Sequence, residues 1–538
     1  MKIKLLDCTL RDGGYYNNWD FNEDLVTDYL SAIADSGTDY IELGLRRFSS
    51  DSFLGASAFT THQYLDRLNL PAGPEYGVMI DAKTILSAVS DKFSHEAAVD
   101  TLFKDRKDEH ISLVRVAAHF DELKDTPRML HRLKEKGYKV GLNIMQSSLR
   151  SSDELSNATK EISRSNSVDV LYFADSLGSM DIRDVERVFE AIRKEWNGEI
   201  GFHSHNNMGQ ALENVNKAIE IGASWIDGTI SGMGRGAGNA ETEYLLANPY
   251  LQKDPSSTYK IFNLVSNHFA EMKKKCGWGP SLEYFYGAKF GIHPTYIQEM
   301  LSDSRYSEED IISVIEHLQK EGGKKFSSDN MEGAKHFLRG EVKGTWSPKD
   351  IFQKNDVLIL GGGNGIKKHK SAIEAFIKKN KPIVLALNTQ SGISSEFISY
   401  RIASHPVRLL ADLEAHLGLE QPLITPISML PDALKEALKG KKIMDYGLSF
   451  DKAKFEFEEK WCTTPSSLVI AYALAAARAG EARHIFMAGF DGYPAGDDRN
   501  SEIQKIIHKY NETIEDSNLI AITPTRIKDL QSKSVYAL

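Results

Sequence analysis

The chain has 538 residues, 41% apolar and 26% charged, with a formal net charge of −10; one core rarely sustains more than ~250–300 residues, so two or three domains of a soluble globular protein are expected. The acidic balance excludes a nucleic-acid binder with the usual basic face and disfavours an anionic membrane surface. Cys8, Cys276 and Cys462 form neither a disulfide framework nor a zinc knuckle, the N-terminus shows no leader-like apolar region and the longest apolar run, around Leu468 to Ala477, is too short for a membrane span, so a reducing, cytoplasmic location is expected.

From residue 2 to about 230, short β-like runs alternate with helical stretches. The runs are Ile3–Asp7, Tyr40–Leu45, Tyr76–Asp81, Ser112–Ala117, Lys139–Ile144, Asp169–Ala174, Glu199–His203 and Trp225–Ile230. Asn22–Ser36, Asp121–Lys136, Asp181–Trp196 and Met208–Ile221 carry helical periodicity. Eight strand–helix repeats predict an α/β fold that begins with a (β/α)8 TIM barrel over residues 1–257. Asp7, Glu42, Asp81, Arg115, Asn143, Asp175, His203 and Asp227 fall at or near the C-terminal ends of the runs. A barrel carries its active site on that face. Any one of these carboxylates could instead cap the next helix, but so many converging polar residues mark a site.

Asp254-Pro255-Ser256-Ser257 reads as a break, residues 258–320 as a helical extension, and residues 321–349, rich in Gly, Lys, Ser and Asp, as an interdomain linker. The helical extension is the candidate interface of a homo-oligomer. A second βα alternation spans residues 350–538, with candidate strands Val357–Leu360, Ile383–Leu387, Val407–Leu410, Ile443–Tyr446, Ile485–Ala488 and Leu519–Ile522. It predicts a doubly wound, Rossmann-like parallel sheet.

Two motifs speak most directly about chemistry: Asp7-Cys8-Thr9-Leu10-Arg11-Asp12-Gly13-Gly14 after the first run, and His203-Ser204-His205-Asn206-Asn207 at the seventh. Residues two apart on a strand face one side, so His203 and His205 can converge. Asp12 would complete a two-histidine, one-carboxylate set suited to a divalent metal with positions left open. Gly236-Ala237-Gly238-Asn239 lies after the eighth run, which adjoins the first in a closed barrel.

Together these motifs resemble the metal-dependent superfamily of HMG-CoA lyase, isopropylmalate synthase and 4-hydroxy-2-oxovalerate aldolase over about residues 1–300, most closely its aldolase branch. The resemblance implies that Asp12, His203 and His205 bind Mn2+ or Mg2+, with Asn239 a further ligand or its neighbour, and that Arg11 contacts an enolate oxygen. It implies an aldolase joining or splitting a pyruvate-type keto acid and an aldehyde, a sugar among the candidates. A Claisen-type synthase using an acyl-CoA is the competing enzyme reading. A sugar- or nucleotide-binding protein on a degenerate barrel is the non-enzyme reading, against which the intact Arg11, Asp12, His203 and His205 speak.

The chain departs from the aldolase pattern at Tyr15, where 4-hydroxy-2-oxovalerate aldolases place a histidine general base. A phenol with a pKa near ~10 is a poor base at neutral pH. Either Tyr15 is retuned, or it orients a water, or His62, His119 or Tyr16 takes the role. Asp175-Ser176-Leu177-Gly178 resembles a superfamily motif and also reads as a capped turn, and Cys8 as a buried filler.

In the second domain Leu358-Ile359-Leu360-Gly361-Gly362-Gly363-Asn364-Gly365 runs from a strand into a glycine turn, making Gly361, Gly363 and Gly365 candidate phosphate- or nucleotide-binding positions. The spacing is not Gly-x-Gly-x-x-Gly and the next run ends in Asn388 rather than an acid, so no nicotinamide is expected. Cys462-Thr463-Thr464-Pro465-Ser466-Ser467 reads as a helix start, either capped or anion-binding, and Cys462 is the one nearby nucleophile for an aldehyde-oxidising domain. Gly489-Phe490-Asp491-Gly492-Tyr493 lies where sheet edges bind ligands. The domain weakly resembles the Rossmann-like domains of surface-glycan and pterin-diphosphate enzymes.

Overall fold

A computed structural model describes residues 2–48, 53–89, 93–251, 254, 256, 258–302, 308, 311–312, 314–315, 342–390, 392–430, 432–451, 453–493, 498–514 and 518–538. Within the expected break, extension and linker, residues 255 and 257, most of 303–320, and 321–341 lie outside the described residues. The chain forms two compact units.

The first unit is a closed parallel barrel of β1 (Lys4–Asp7), β2 (Tyr40–Leu45), β3 (Glu75–Asp81), β4 (Leu113–Ala118), β5 (Lys139–Ile144), β6 (Val170–Asp175), β7 (Glu199–Ser204) and β8 (Trp225–Gly228). It closes where Lys4, Leu5, Leu6 and Asp7 pair with Trp225, Ile226, Asp227 and Gly228. Every strand end lies within two residues of the sequence expectation, because strands covered on both faces read as apolar runs. One set of alternate side chains, including Ile41, Val114, Val116, Leu171 and Phe173, packs in a single core with helical residues such as Leu25 and Tyr29. The opposite set puts Leu6, Leu113, Val170, Tyr172 and Trp225 together inside the barrel. Arg115 and Glu42 are buried with no exposure at all.

Asn22 caps the helix Glu23–Asp35, its side chain accepting the Asp24 N–H at 2.8 Å. The expected helix Asp121–Lys136 is broken into a 3₁₀ segment, Phe120–Asp125, and a helix, Pro127–Glu135. Pro127 has no N–H to continue the first segment and suits the first turn of the second. After the barrel come Thr258–Leu264, a π turn at Val265–Phe269, Ala270–Cys276, Leu282–Lys289 and Pro294–Ser302.

The second unit contains β9 (Val357–Leu360), β10 (Ile383–Leu387), β11 (Tyr400–Ile402), β12 (Leu423–Thr425), β13 (Ile443–Asp445), β14 (Gly447–Phe450), β15 (Glu456–Phe457), β16 (Trp461–Thr464), β17 (Ile485–Ala488), β18 (Leu519–Ala521) and β19 (Gln531–Ser532). Eight form a parallel sheet in the order β13-β12-β11-β10-β9-β17-β18-β19, and β14, β16 and β15 form a small separate sheet. Val357, Ile359 and Leu385 lie in one apolar cluster and Leu358, Leu360, Val384 and Ala386 in another, so both faces of the main sheet are covered. Strand order reverses between β9 and β17, the switch point of a doubly wound sheet.

Two expectations are corrected here. Val407–Leu410 is helical, within Pro406–Ala411, because Pro406 at the first turn starts a helix where an apolar run alone suggests a strand. Cys462, Thr463 and Thr464 lie in β16, so this stretch does not open a helix; the next helix begins at Val469. Among the described residues no helix is long and apolar enough to cross a membrane.

Candidate active site

Asp7 is spent on the fold. Its carboxylate accepts the Thr9 N–H at 2.9 Å and hydroxyls of Thr9, Tyr29 and Thr242 at 2.6, 2.5 and 2.5 Å, tying β1 to two helices. That knot fixes the single turn Thr9–Asp12, which presents Arg11 and Asp12 over the C-terminal end of the barrel.

From there a closed ring of opposite charges crosses the barrel. Arg11 donates to Asp12 at 2.5 Å and to Glu42 at 2.9 Å. Arg115 donates twice to Glu42, at 2.7 and 2.6 Å, and once to Asp227 at 2.6 Å. Asp227 lies 2.9 Å from His203 Nδ1, and His203 Nε2 returns to within 3.9 Å of Asp12. The most exposed member, Arg11, is 6% exposed. Charges this deeply buried are tolerable only in such mutual pairing. Burial alone would push the Asp12 carboxyl up, but the Arg11 guanidinium, with the Asn239 hydrogen bond adding to it, holds it below the usual carboxylate range. Burial also opposes the charge of Asp227, which Arg115 and His203 nevertheless keep ionised.

His203, His205 and Asp12 each offer one ligand atom, all within 4.8 Å of one another. His205 Nε2 is 4.0 Å from Asp12 Oδ2. Such spacings suit donors that each lie about 2 Å from a common ion. Asp227 holds His203 Nδ1 and so aims Nε2 at the centre. Burial, with the Asp12 charge only partly offsetting it, pushes His205 down to about 3, leaving a neutral imidazole that is ready to bind metal. Asn239 pairs with His205 in an antiparallel bridge and donates from Nδ2 to Asp12 at 2.5 Å, while its Oδ1 is buried without a partner among the described residues. A Cβ on Gly234 would fall 2.2 Å from Asn239 Nδ2 and 2.6 Å from Asp12 Oδ2. The donor set therefore fits a divalent ion, and the sequence keeps a glycine where any side chain would intrude. Cys8, His203 and Asp227 form a second close group. It is poorly suited to metal: burial keeps Cys8 a thiol, and Asp227 Oδ2 is already engaged by Arg115 and His203.

The candidate bases separate clearly. Tyr15 lies at the mouth, its ring 4.9 Å from that of Trp19 and its face 3.9 Å from the Arg235 guanidinium. Tyr16 donates to the Gly236 carbonyl at 2.6 Å, and burial, then Tyr284, hold its hydroxyl far above the usual phenol range. His62 is paired with Glu109 at 2.7 Å beside Arg46, and His119 caps the segment Phe120–Asp125. One histidine escaped sequence reasoning. His293 is 4% exposed in the turn before Pro294–Ser302; burial first, then the Arg235 charge, push its imidazole well below its ordinary value. The helix it precedes is seated on the mouth: Gln298 accepts the Gly236 N–H at 3.1 Å and donates to the Tyr15 carbonyl at 3.4 Å. Nothing local to a His-Pro step signals this.

Asp175 accepts the N–H groups of Ser179 and Met180 at 3.0 and 3.1 Å, and burial pushes it up to about 7. It shapes a turn. In the second unit the N–H groups of Gly361 and Gly363 donate to Ala488 and Gly489 carbonyls, each at 2.8 Å, and that of Gly365 to Asp491 at 2.6 Å. An anion at this turn would have to displace the Asp491 carboxylate.

Residues 2–267 match the family model described as HMGL-like. Over 255 residues the chain is 30% identical to the 4-hydroxy-2-oxovalerate aldolase of Geobacillus genomosp. 3, covering 46% of this chain and 69% of that one. Over 247 residues it is 29% identical to the oxaloacetate decarboxylase of Mycobacterium tuberculosis, covering 45% and 68%. A solved N-terminal domain from Bacteroides vulgatus aligns at 28% identity with a TM-score of 0.48, over 56% of this chain and 97% of that one.

Proposed function

The chain belongs to the HMGL-like family, and from that premise we propose that its barrel is a divalent-metal-dependent carbon–carbon lyase: an aldolase that splits a 4-hydroxy-2-oxo acid into a pyruvate-type keto acid and an aldehyde, or joins the two. The observation that carries this reading is the buried charge ring, which sets Arg11 beside the convergent donors Asp12, His203 and His205. Those three residues would hold the ion, with Asn239 next to them; two imidazoles favour Mn2+ over Mg2+. When bound, the metal supplies Lewis-acid polarisation of the substrate. Arg11 spends Nε on Glu42 and Nη1 on Asp12. Its Nη2 makes no hydrogen bond among the described residues, leaving that edge to stabilise negative charge as it develops on the keto oxygen. Glu42, held by Arg115, fixes the guanidinium in place.

A second reading, decarboxylation of a 2-oxo diacid, uses the same charges and needs no base for a 4-hydroxyl. Tyr15 in place of the aldolase histidine favours keeping it. All three cysteines are free, which supports a cytoplasmic location. Tyr259 and Phe262, 70% and 62% exposed on the helix Thr258–Leu264, support self-association.

The test is exchange of pyruvate methyl protons with D2O in the presence of Mn2+. The native protein is expected to catalyse it, Arg11→Ala to lose about 10²–10³-fold, and His203→Ala to be inactive. No exchange by the metal-loaded native protein with pyruvate or a related keto acid would remove the proposal's support. Release of CO2 from oxaloacetate without any aldol cleavage selects the decarboxylase, and consumption of an acyl-CoA the synthase.

A further inference from the structure

Arg235 is a cation in the barrel mouth that the charge ring does not absorb. Its backbone is clamped on both sides. Gly234 lies against the Asp12–Asn239 pair, and Gly236 is held by the Tyr16 hydroxyl and the Gln298 side chain. The guanidinium carbon sits 3.9 Å from the centroid of the Tyr15 ring. Among the described residues Arg235 forms no ion pair. Stacking uses the face of a guanidinium and leaves its in-plane N–H fork free, and that fork matches a carboxylate or phosphate. Trp19 lies edge-on to Tyr15 at 4.9 Å and carries Arg47 5.1 Å over its ring.

We propose that Arg235 forms an anion subsite beside the metal donors, and that the half of the substrate released as aldehyde carries a carboxylate or a phosphate. This rests on the aldolase reading and names its substrate class. It gives Tyr15 a role that needs no proton transfer: the phenol ring is the platform that orients Arg235. A neutral aldehyde leaves the fork unpaired, whereas an anionic one completes it with charge-assisted hydrogen bonds.

The experiment measures kcat/KM for condensation of pyruvate with three aldehydes on the native full-length protein loaded with Mn2+: glyoxylate for carboxylate, glyceraldehyde 3-phosphate for phosphate, and acetaldehyde as the neutral reference. Pyruvate exchange with D2O is followed in parallel. One anionic aldehyde is expected to be preferred over acetaldehyde, and Arg235→Gln to cut that preference by about 10–150-fold, the worth of one hydrogen bond to a charged group. Arg235→Lys, which keeps the charge but loses the fork and the stack, is expected to restore part of it. Exchange without any preference for an anionic aldehyde overturns the subsite and leaves the aldolase reading intact. An equal loss in Arg235→Gln for charged and neutral aldehydes also overturns it, because Arg235 would then serve the keto acid or the fold. Absence of exchange in the native protein overturns the parent reading, and the aldehyde subsite with it.

Discussion

Asp227 answers two demands at once, as counter-charge to Arg115 at 2.6 Å and as the acceptor at His203 Nδ1 at 2.9 Å. The first keeps a guanidinium inside the barrel; the second sets which imidazole nitrogen faces the metal donors. In Asp227→Asn the side chain keeps its shape and loses its charge. We expect the Mn2+ dissociation constant to rise by about 10–100-fold, measured by calorimetric titration, with urea denaturation reporting the separate stability loss. Unchanged Mn2+ affinity would mean that Asp227 serves only Arg115. His416 in the second unit is the contrasting case. It is fully buried, both ring nitrogens lack a partner among the described residues, and burial, then Arg401, Lys441 and Arg408, push it down to about 4. Unfolded histidine titrates near ~6.5, so as pH falls from there towards 4 the unfolded chain binds a proton that the folded one refuses. Stability is therefore lost on acidification through that window, by up to about 3 kcal/mol for this group. Asp175 and Glu243, pushed up to about 7 by burial, have the opposite sign and lose stability as pH rises. The comparison must accordingly be native against His416→Leu: the variant should lose less stability between pH 7 and 4.5, and parallel curves would show that His416 titrates normally.

The loop from Ile230 to Asn239 shows how glycines, beside Arg235 and Asn239, control a site. Gly238 has φ +86°, and a Cβ there would lie 1.8 Å from the Gly232 carbonyl oxygen; Gly234 is excluded from carrying a side chain by the Asp12–Asn239 pair. Gly234→Ala should leave the circular dichroism spectrum native and abolish Mn2+ binding, because the added methyl displaces donors and not core. Retained binding would show that Asp12 and Asn239 yield at little cost. Glycines in this loop were legible as a motif, but which of them approaches the donors depends on β8 returning beside β1, a contact between residues more than 200 positions apart. The same reasoning separates what could be read from what could not. β1 to β8 are four to seven residues of mostly buried side chains and announce themselves. β11 and β12 have three residues each, and β11 carries the buried Arg401 at its centre, so neither shows an apolar run. Glu42, Arg115, His203 and Asp227 are visible at or near strand ends and Arg11 and Asp12 in the motif after the first strand; that they close into a ring is not, because it depends on barrel closure.

At the scale of the whole chain, the proposed metal donors would confine ion binding to the barrel. Asp12, His203, His205 and Asn239 all belong to the first unit, while the second is built on its own sheet and its own apolar clusters. Sequence alone placed a glycine turn at the C-terminal end of β9, where ligands of doubly wound sheets bind, and the turn is there; what it could not show is Asp491 arriving from the end of β17 to take the Gly365 N–H. The two units should therefore respond differently to one ligand. A ligand that binds only the folded state adds about 2.7 kcal/mol at a hundredfold excess over its dissociation constant, which slows globally exchanging amides by about 100-fold. Hydrogen exchange read by mass spectrometry with and without saturating Mn2+ should show that slowing in peptides covering β1, β7 and β8, and no change in those covering β9, β10 and β17. In His203→Ala the barrel protection should vanish. Equal protection of both sheets by metal would mean that ion binding is not confined to the donors described, and a metal response that survives in His203→Ala would place the ion elsewhere in the chain.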